Sequence, residues 1–288
     1  MGWLLGQGLS KTILFIQLTT NLINIILSIT LGILYEMKVY GIALATVTAE
    51  IIGSILMILT FICIVKKDFS SLKTILSLNK IKLMLVSNLD IFIRTLCVIS
   101  AISMFTAIGA RIDNTILAAN AILVHMQSFI SHGLDGFAHA TENVVGKAVG
   151  AKNKLLLKKV VIVSLQLAVI TALLYSLVYF FAGETIIRLF TKDQLVLRET
   201  FNYLPWLILS PIISVWSFHL DGVFIGATRT KEMRNAMILS FIIFLISLYI
   251  LVPIWANHGL WASYMIFMIF RALTLSYFYK NIKASVII

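Results

Sequence analysis

Residues 117–150 read LAANAILVHMQSFISHGLDGFAHATENVVGKAVG. The stretch opens as an apolar helix of membrane-spanning length and ends crowded with His125, His132, Asp135, His139 and Glu142. At 100° per residue, these five side chains and Ser128 fall within one arc of roughly 100°. Ile122, Leu123, Met126, Phe129, Ile130 and Phe137 take the opposite face. Ionisable groups at membrane depth are costly, so they face a bundle interior or a wet cavity and mark a substrate or ion path. The stretch therefore reads as the wet wall of an all-α, polytopic membrane bundle whose other spans shield it.

The rest of the chain agrees with that class. Of its 288 residues, 60% are hydrophobic and 12% charged, against about 25% charged in an ordinary globular chain. Mean hydropathy is +1.01. The net charge of +11 would suit nucleic acid in a soluble protein. Here the lysines sit in short gaps between apolar runs, as membrane topology requires, so no nucleic-acid partner is expected. Cys63 and Cys97 both lie inside apolar runs and read as small buried hydrophobes, with no disulfide framework. The first ten residues lack a basic leader, so no cleaved signal peptide is expected.

Eight apolar runs reach the ~20 residues that a bilayer helix needs. They are 13–34, 41–65, 89–109, 116–138, 160–182, 202–225, 236–254 and 259–279. Sixteen Lys and Arg residues fall in the gaps after even-numbered runs and at the two ends, and five in the gaps after odd-numbered runs. This bias predicts a multi-pass protein with both termini in the cytoplasm. The longest basic gap, KKDFSSLKTILSLNKIKLMLVS at 66–87, is expected to be a cytoplasmic linker, with leucine, isoleucine and lysine spacing suited to an amphipathic helix. The more polar gap Gly183–Thr200 is expected to carry a short helix of its own.

An internal repeat organises these runs. Gly8-Leu-Ser-Lys-Thr12 lies over Gly226-Ala-Thr-Arg-Thr230, and Tyr40-Gly41-Ile42 over His258-Gly259-Leu260, both at an offset of 218 with no gap between. Runs one and two thus repeat runs seven and eight. Inverted or duplicated halves of this kind are typical of transporters. The inference is a two-lobe plan of twelve spans: residues 1–65 the last two spans of a first lobe, 66–87 the inter-lobe linker, and 88–288 a complete six-helix second lobe.

Several strings, in order, resemble the multidrug and toxic compound extrusion (MATE) family, and within it the DinF-like (DNA-damage-inducible protein F) branch. They are Asn88-Leu-Asp90-Ile-Phe-Ile-Arg94-Thr95; Leu117-Ala-Ala-Asn120; Leu134-Asp135-Gly136-Phe-Ala138 with Glu142, Val145-Gly146 and Gly150-Ala151; Leu220-Asp221-Gly222-Val-Phe-Ile-Gly226-Ala-Thr228; Met233-Arg234-Asn235; and Gly259-Leu-Trp261. The resemblance implies two six-helix lobes around a central cavity with alternating access. It implies export of organic, often cationic, compounds across the bacterial inner membrane against inward proton or sodium flow. The family's first four helices have no counterpart in these residues, so the expectation is an amino-truncated form, with those helices a possible partner in trans. An acidic residue of the family's first helix, implicated in proton coupling, is then not part of this chain.

Asp221 is the first ion-coupling candidate, because the matching aspartate of sodium-coupled relatives contributes to cation binding, with His219 two residues before it. A desolvated carboxylate can also exchange protons. Its structural alternative is to fix a turn at Gly222–Gly226. Asp135, His132 and His139 are cavity candidates on the wet face, and Glu50 is the one first-half carboxylate at depth. Asp90, Arg94, Glu142 and Arg271 read as structural ion-pair residues. Arg94 is one turn from Asp90, which invites an i,i+4 pair, and Asp135 or Glu142 could pair with Lys147, Arg94 or Arg271. Histidines at seven-residue spacing put successive rings ~10.5 Å apart, too far for one ion, so no metal site is expected. No phosphate loop, HExxH or nucleophile elbow occurs, which argues against an enzyme and leaves an ion gradient as the energy source, with no cofactor. Two other readings remain open: a lipid-linked sugar flippase of the same superfamily, whose cavity is usually more cationic, and a non-transporting fragment.

Overall fold

The computed structural model describes residues 4, 8–64 and 78–285. Among them there is no strand, and they form seven α-helices. They are α1 (Ser10–Leu27), which runs into a wider π-type turn at Ser28–Leu34, α2 (Lys38–Ile64), α3 (Leu78–Ile112), α4 (Asn114–Gly150), α5 (Lys154–Phe190), α6 (Gln194–Gly226) and α7 (Thr230–Ser285). Six are long and apolar enough to cross a membrane; α4, with its histidine- and acid-bearing face, falls outside that apolar set. α7 is two helices joined at Ala256, where φ is 46° and ψ −122°. The eight apolar runs thus correspond to α1 to α6 and the two limbs of α7.

Two sequence expectations change. Residues 78–87, expected to be linker with the spacing of an amphipathic helix, are helical but form the first turns of α3 rather than a helix of their own. Residues 65–77 of that linker lie outside the described residues. Gly183–Thr200 carries no separate helix: α5 runs on to Phe190 and α6 starts at Gln194. Asp193 ends the gap by capping α6, accepting from the backbone N–H of Leu195 at 2.8 Å. Asp113 and Asn153 cap α4 and α5 in the same way.

The chain forms two compact units, Met1–Lys80 and Ile81–Ile288. In the first, α1 and α2 make a hairpin. Gly41, Ala45, Ala49 and Gly53 recur every four residues and form the buried stripe of α2. Small side chains let two membrane helices approach closely, and a Cβ added at Gly53 would press on the Thr20 side chain of α1. Large apolar side chains such as Leu14 and Phe15 point outward, as lipid contact requires.

In the second unit, α6 is the central helix. Leu207, Ser210, Ser214, Val215, Phe218, Asp221 and Phe224 are all buried, on most of its circumference. α4 packs against it along Leu123, Met126, Ile130 and Leu134, with α5 and α7 alongside. Pro205 and Pro211 interrupt the backbone bonding of α6. The Ser176 hydroxyl of α5 donates to the Ile208 carbonyl at 2.6 Å, in the turn before Pro211. α3 is different: it meets the rest of the unit mainly through side chains, among them Ala101 and Phe105.

The 218-residue offset is repeated in the backbone geometry. Lys38 and Ala256 both have positive φ, 50° and 46°. Three residues on, Gly41 and Gly259 each lie against the preceding helix, where a Cβ would strike the carbonyls of Leu31 and Leu251. Both hairpins therefore reverse by the same device, a left-handed residue followed by a glycine that lets two backbones touch. In the second hairpin a buried amide pair adds to it. Asn120 Nδ2 donates to Asn257 Oδ1 at 2.7 Å, Asn257 Nδ2 donates back at 3.0 Å, and Trp261 Nε1 donates to Asn120 Oδ1 at 3.0 Å. Asn257→Leu leaves the Asn120 amide donor buried and unpaired, so a loss of about 1–3 kcal/mol is expected. Thermal unfolding of the purified variant in detergent measures it, and wild-type stability would show that the pair does not hold the kink.

Candidate functional site

The centre of the second unit is a carboxylate between two arginines. Asp221 of α6 is 4% exposed and Arg271 of α7 is 3% exposed. Arg94 Nη2 and Arg271 Nη2 donate to the same Asp221 Oδ2, at 2.5 and 2.6 Å. The Arg271 guanidinium also lies over the rings of Phe218 (5.5 Å) and Phe267 (5.7 Å) and donates to Met268 Sδ at 3.3 Å. Charge-assisted bonds of this kind are what allow ionised groups to be buried, since each charge replaces lost water for the other. The Nε of both arginines is buried and has no partner. Asp135 of α4 is half-buried beside the cluster, within electrostatic reach of Arg94, Arg271 and Asp221. Two guanidiniums and two carboxylates therefore gather from α3, α4, α6 and α7.

The pairing differs from the one that spacing suggests. Asp90 does not bond to Arg94, four residues on in α3. It accepts from Arg234 Nη1 at 2.5 Å and from the Thr230 hydroxyl at 3.1 Å, both at the start of α7. Arg94 instead reaches across to Asp221. Had Arg94 stayed with Asp90, the desolvated Asp221 would keep a single counter-charge, so the cross-helix arrangement wins. Both ion pairs tie α3 to the helices that face it. Glu142 likewise takes none of Lys147, Arg94 or Arg271: its carboxylate lies 3.5 Å from His139 Nδ1 at the surface of the unit. Asp221 does not fix a turn either, because Gly222 and Gly226 lie within the last turns of α6.

The remaining candidates spread out. His125, His132 and His139 are exposed along α4, with His132 Nδ1 2.6 Å from the Ser128 carbonyl. His219 is buried on the side of α6 that faces α5, where its Nε2 lies 2.9 Å from the Ser164 hydroxyl; at two residues' distance along a helix it points away from Asp221. Glu50, in the first unit, lines a cleft of about 330 Å³ with Gln17, Thr20, Asn21 and Ser54 on one side and Met57 and Ile58 among its apolar lining. Among the described residues, no cluster of His, Cys, Asp and Glu is arranged to hold a metal ion. Sequence reasoning missed the pairing of Arg234 with Asp90 and that of Asn120 with Asn257. Asn120 was visible within a family string, yet its partner lies 137 residues away, which no local pattern reports.

The MatE family model matches residues 91–251. DNA damage-inducible protein F of Escherichia coli is 36% identical over 284 residues, which are 98% of this chain and 61% of that protein. The probable multidrug resistance protein NorM of Bacillus cereus is 27% identical over 94% of this chain and 62% of its own length. A crystal structure of MATE in the straight conformation matches with a TM-score of 0.87 at 18% identity, over 98% of this chain and 65% of the other. The chain thus spans about three fifths of the length of the curated relatives it matches.

Proposed function

Because the chain belongs to the MatE family of multi-pass membrane transporters, whose members are not enzymes, we propose that it serves an ion-coupled antiporter exporting organic, often cationic, compounds. The observation that carries this reading is the buried Asp221 cluster beside the half-buried Asp135. Charges held at membrane depth inside a bundle are costly to keep and are retained where ions or substrates pass. Either protons or sodium ions drive export in this reading, and no cofactor takes part. The protein sits in the bacterial inner membrane with both termini in the cytoplasm, as the lysine and arginine bias supports. Helices equivalent to the first four of its relatives, acting in trans, are a proposed partner.

The lipid-linked sugar flippase is a second reading that calls for a more cationic cavity, whereas here Asp135 and Asp221 balance Arg94 and Arg271. The two readings separate in proteoliposomes, with and without a co-expressed segment carrying the four further helices. Ethidium efflux that follows an imposed proton or sodium gradient is the expected result. No gradient-dependent efflux in either preparation, with scrambling of a fluorescent lipid-linked saccharide instead, would replace the exporter by the flippase. Neither activity would leave a non-transporting fragment.

A further inference from the structure

Trp206 Nε1 of α6 lies 3.1 Å from His258 Nδ1 of α7. An indole N–H can only donate, so the histidine nitrogen that faces it carries no proton and accepts. The Tyr203 ring, about one turn before Trp206, meets the same imidazole edge to face, with 4.8 Å between centroids. Tyr203 is buried and His258 is exposed, so the imidazole rests on α6 with water within its reach. Of the charged groups at this end of the unit, Glu199 of α6 is within electrostatic reach of the Tyr203 hydroxyl. Arg188 of α5 lies over the Phe201 ring at 5.2 Å, two residues from Tyr203 and so on the far side of α6. α4 contributes the neutral Asn120, and the α3–α4 turn carries Arg111 and Asp113, the latter engaged in capping α4. α7 itself has no ionised side chain other than His258 between Arg234 and Arg271.

The bond joins two weak points of the helical frame. Pro205 has no N–H to offer the Phe201 carbonyl, so α6 lacks a backbone bond just where Trp206 sits. His258 is two residues past Ala256, the positive-φ residue at which α7 reverses. The reversal thus has two tethers. Asn257 holds it to Asn120 of α4 through amide bonds, which do not titrate. His258 holds it to α6 through a bond that needs a neutral ring. Histidine changes charge between pH 5 and 8, and an imidazolium Nδ1 carries a proton, so it donates and cannot accept. The first hairpin has Tyr40 at the matching place of the 218-residue offset, and a phenol offers no such change in that range.

We infer that His258 is an acid-released tether: with its ring neutral it accepts from the Trp206 indole and holds the reversal of α7 to α6, and with its ring protonated it lets α6 go while Asn257 keeps the reversal on α4. The tether lies at the end of the unit opposite the lysine-bearing α4–α5 turn, which is the outer end in the proposed topology, so it responds to acidity outside the cell. It goes beyond the export reading and does not depend on it, since the bond and its loss are both read from the folded protein at equilibrium.

The test is the indole N–H spectrum of the full chain in detergent, labelled with nitrogen-15 at tryptophan only and followed by NMR from about pH 8 to about pH 5. The Trp206 signal, assigned by its loss in Trp206→Phe, is expected to move upfield in its proton dimension as the bond is lost. Trp261 is the internal control, because its indole donates to Asn120, which does not titrate. His258→Gln supplies an acceptor at every pH and His258→Leu supplies none, so both should make the Trp206 signal independent of pH, with the glutamine variant's signal downfield of the leucine variant's. Glu199→Gln should leave the titration in place. Thermal unfolding reads the mechanical consequence. Trp206→Phe keeps a ring but loses the donor, so it should unfold at a lower temperature than wild type at the alkaline end and at the same temperature at the acid end. A Trp206 signal that stays put, that moves equally in His258→Gln, or that ceases to move in Glu199→Gln overturns the tether, as does an unfolding gap that is the same at both ends of the range.

Discussion

Asp221→Asn is expected to destabilise the protein by roughly 3–5 kcal/mol, the usual cost of removing one member of a buried ion pair. Asparagine preserves the shape and one acceptor oxygen but removes the charge that two guanidiniums share. Arg271, 3% exposed, cannot reach water, so its charge stays buried and unpaired. Arg94 is more open, with a side chain 20% exposed. From the sequence alone, Asp221→Asn in a protein restored to full length is expected to abolish drug resistance with membrane abundance intact. The arginine pair changes that expectation: abundance should fall with activity. A second substitution makes the argument sharp. Arg271→Met added to Asp221→Asn removes the stranded charge, leaves Arg94 a route to solvent, and should restore at least ~1 kcal/mol. Thermal and denaturant unfolding of wild type, the two single variants and the double variant close the cycle. If the double variant is no more stable than Asp221→Asn, the two arginines are not sharing one buried charge.

The same cluster shows which parts of the protein a sequence discloses. The polar stripe of α4 was legible because it rests on a local period: His125, Ser128, His132, Asp135, His139 and Glu142 are all exposed or half-buried, while Leu123, Met126 and Ile130 are buried. Phe129 departs from that pattern and is exposed, as apolar residues at a lipid boundary often are. The depth of Asp221 was legible from the apolar run around it. Its partners were not, since Arg94 and Arg271 are brought to it by tertiary packing. A search along one helix finds Asp90 for Arg94, and only the assembled bundle offers Arg234 to Asp90 and Asp221 to Arg94. The offset of 218 was legible as paired strings, and it points to a shared reversal that the glycines at 41 and 259 make possible. A turn at Gly222–Gly226 is only the structural alternative that the sequence offers for Asp221. Their four-residue spacing also satisfies the small-xxx-small pattern of helix contacts, and the structure makes that second meaning the operative one.

That contact carries the other large expected effect. α4 and α6 are the most intimately packed pair in the second unit. A Cβ at Gly222 would fall on the backbone of Ala138, and one at Gly226 on the Glu142 carbonyl and the Val145 side chain. Backbone atoms cannot rotate aside as a side-chain tip can, so even alanine must push the helices apart. Overpacking typically costs about 1–3 kcal/mol per site. Here the strain falls one residue from Asp221, so separation should also loosen the bonds from Arg94 and Arg271. Gly222→Ala is therefore expected at the upper end of that range, and Gly222→Ala with Gly226→Ala beyond it. Gly136→Ala in α4 is the matched control, because a Cβ there meets nothing within 4 Å. Glycine within a helix costs about 0.8–1 kcal/mol relative to alanine, so that variant should be slightly stabilised. One chemical change thus has opposite signs at two positions, set by what each new methyl group meets. Unfolding curves of the two variants measured side by side decide it: a Gly222→Ala protein as stable as Gly136→Ala would mean that α4 and α6 do not approach backbone to backbone, and the small-residue seam holding Asp221 in place would be lost as an explanation.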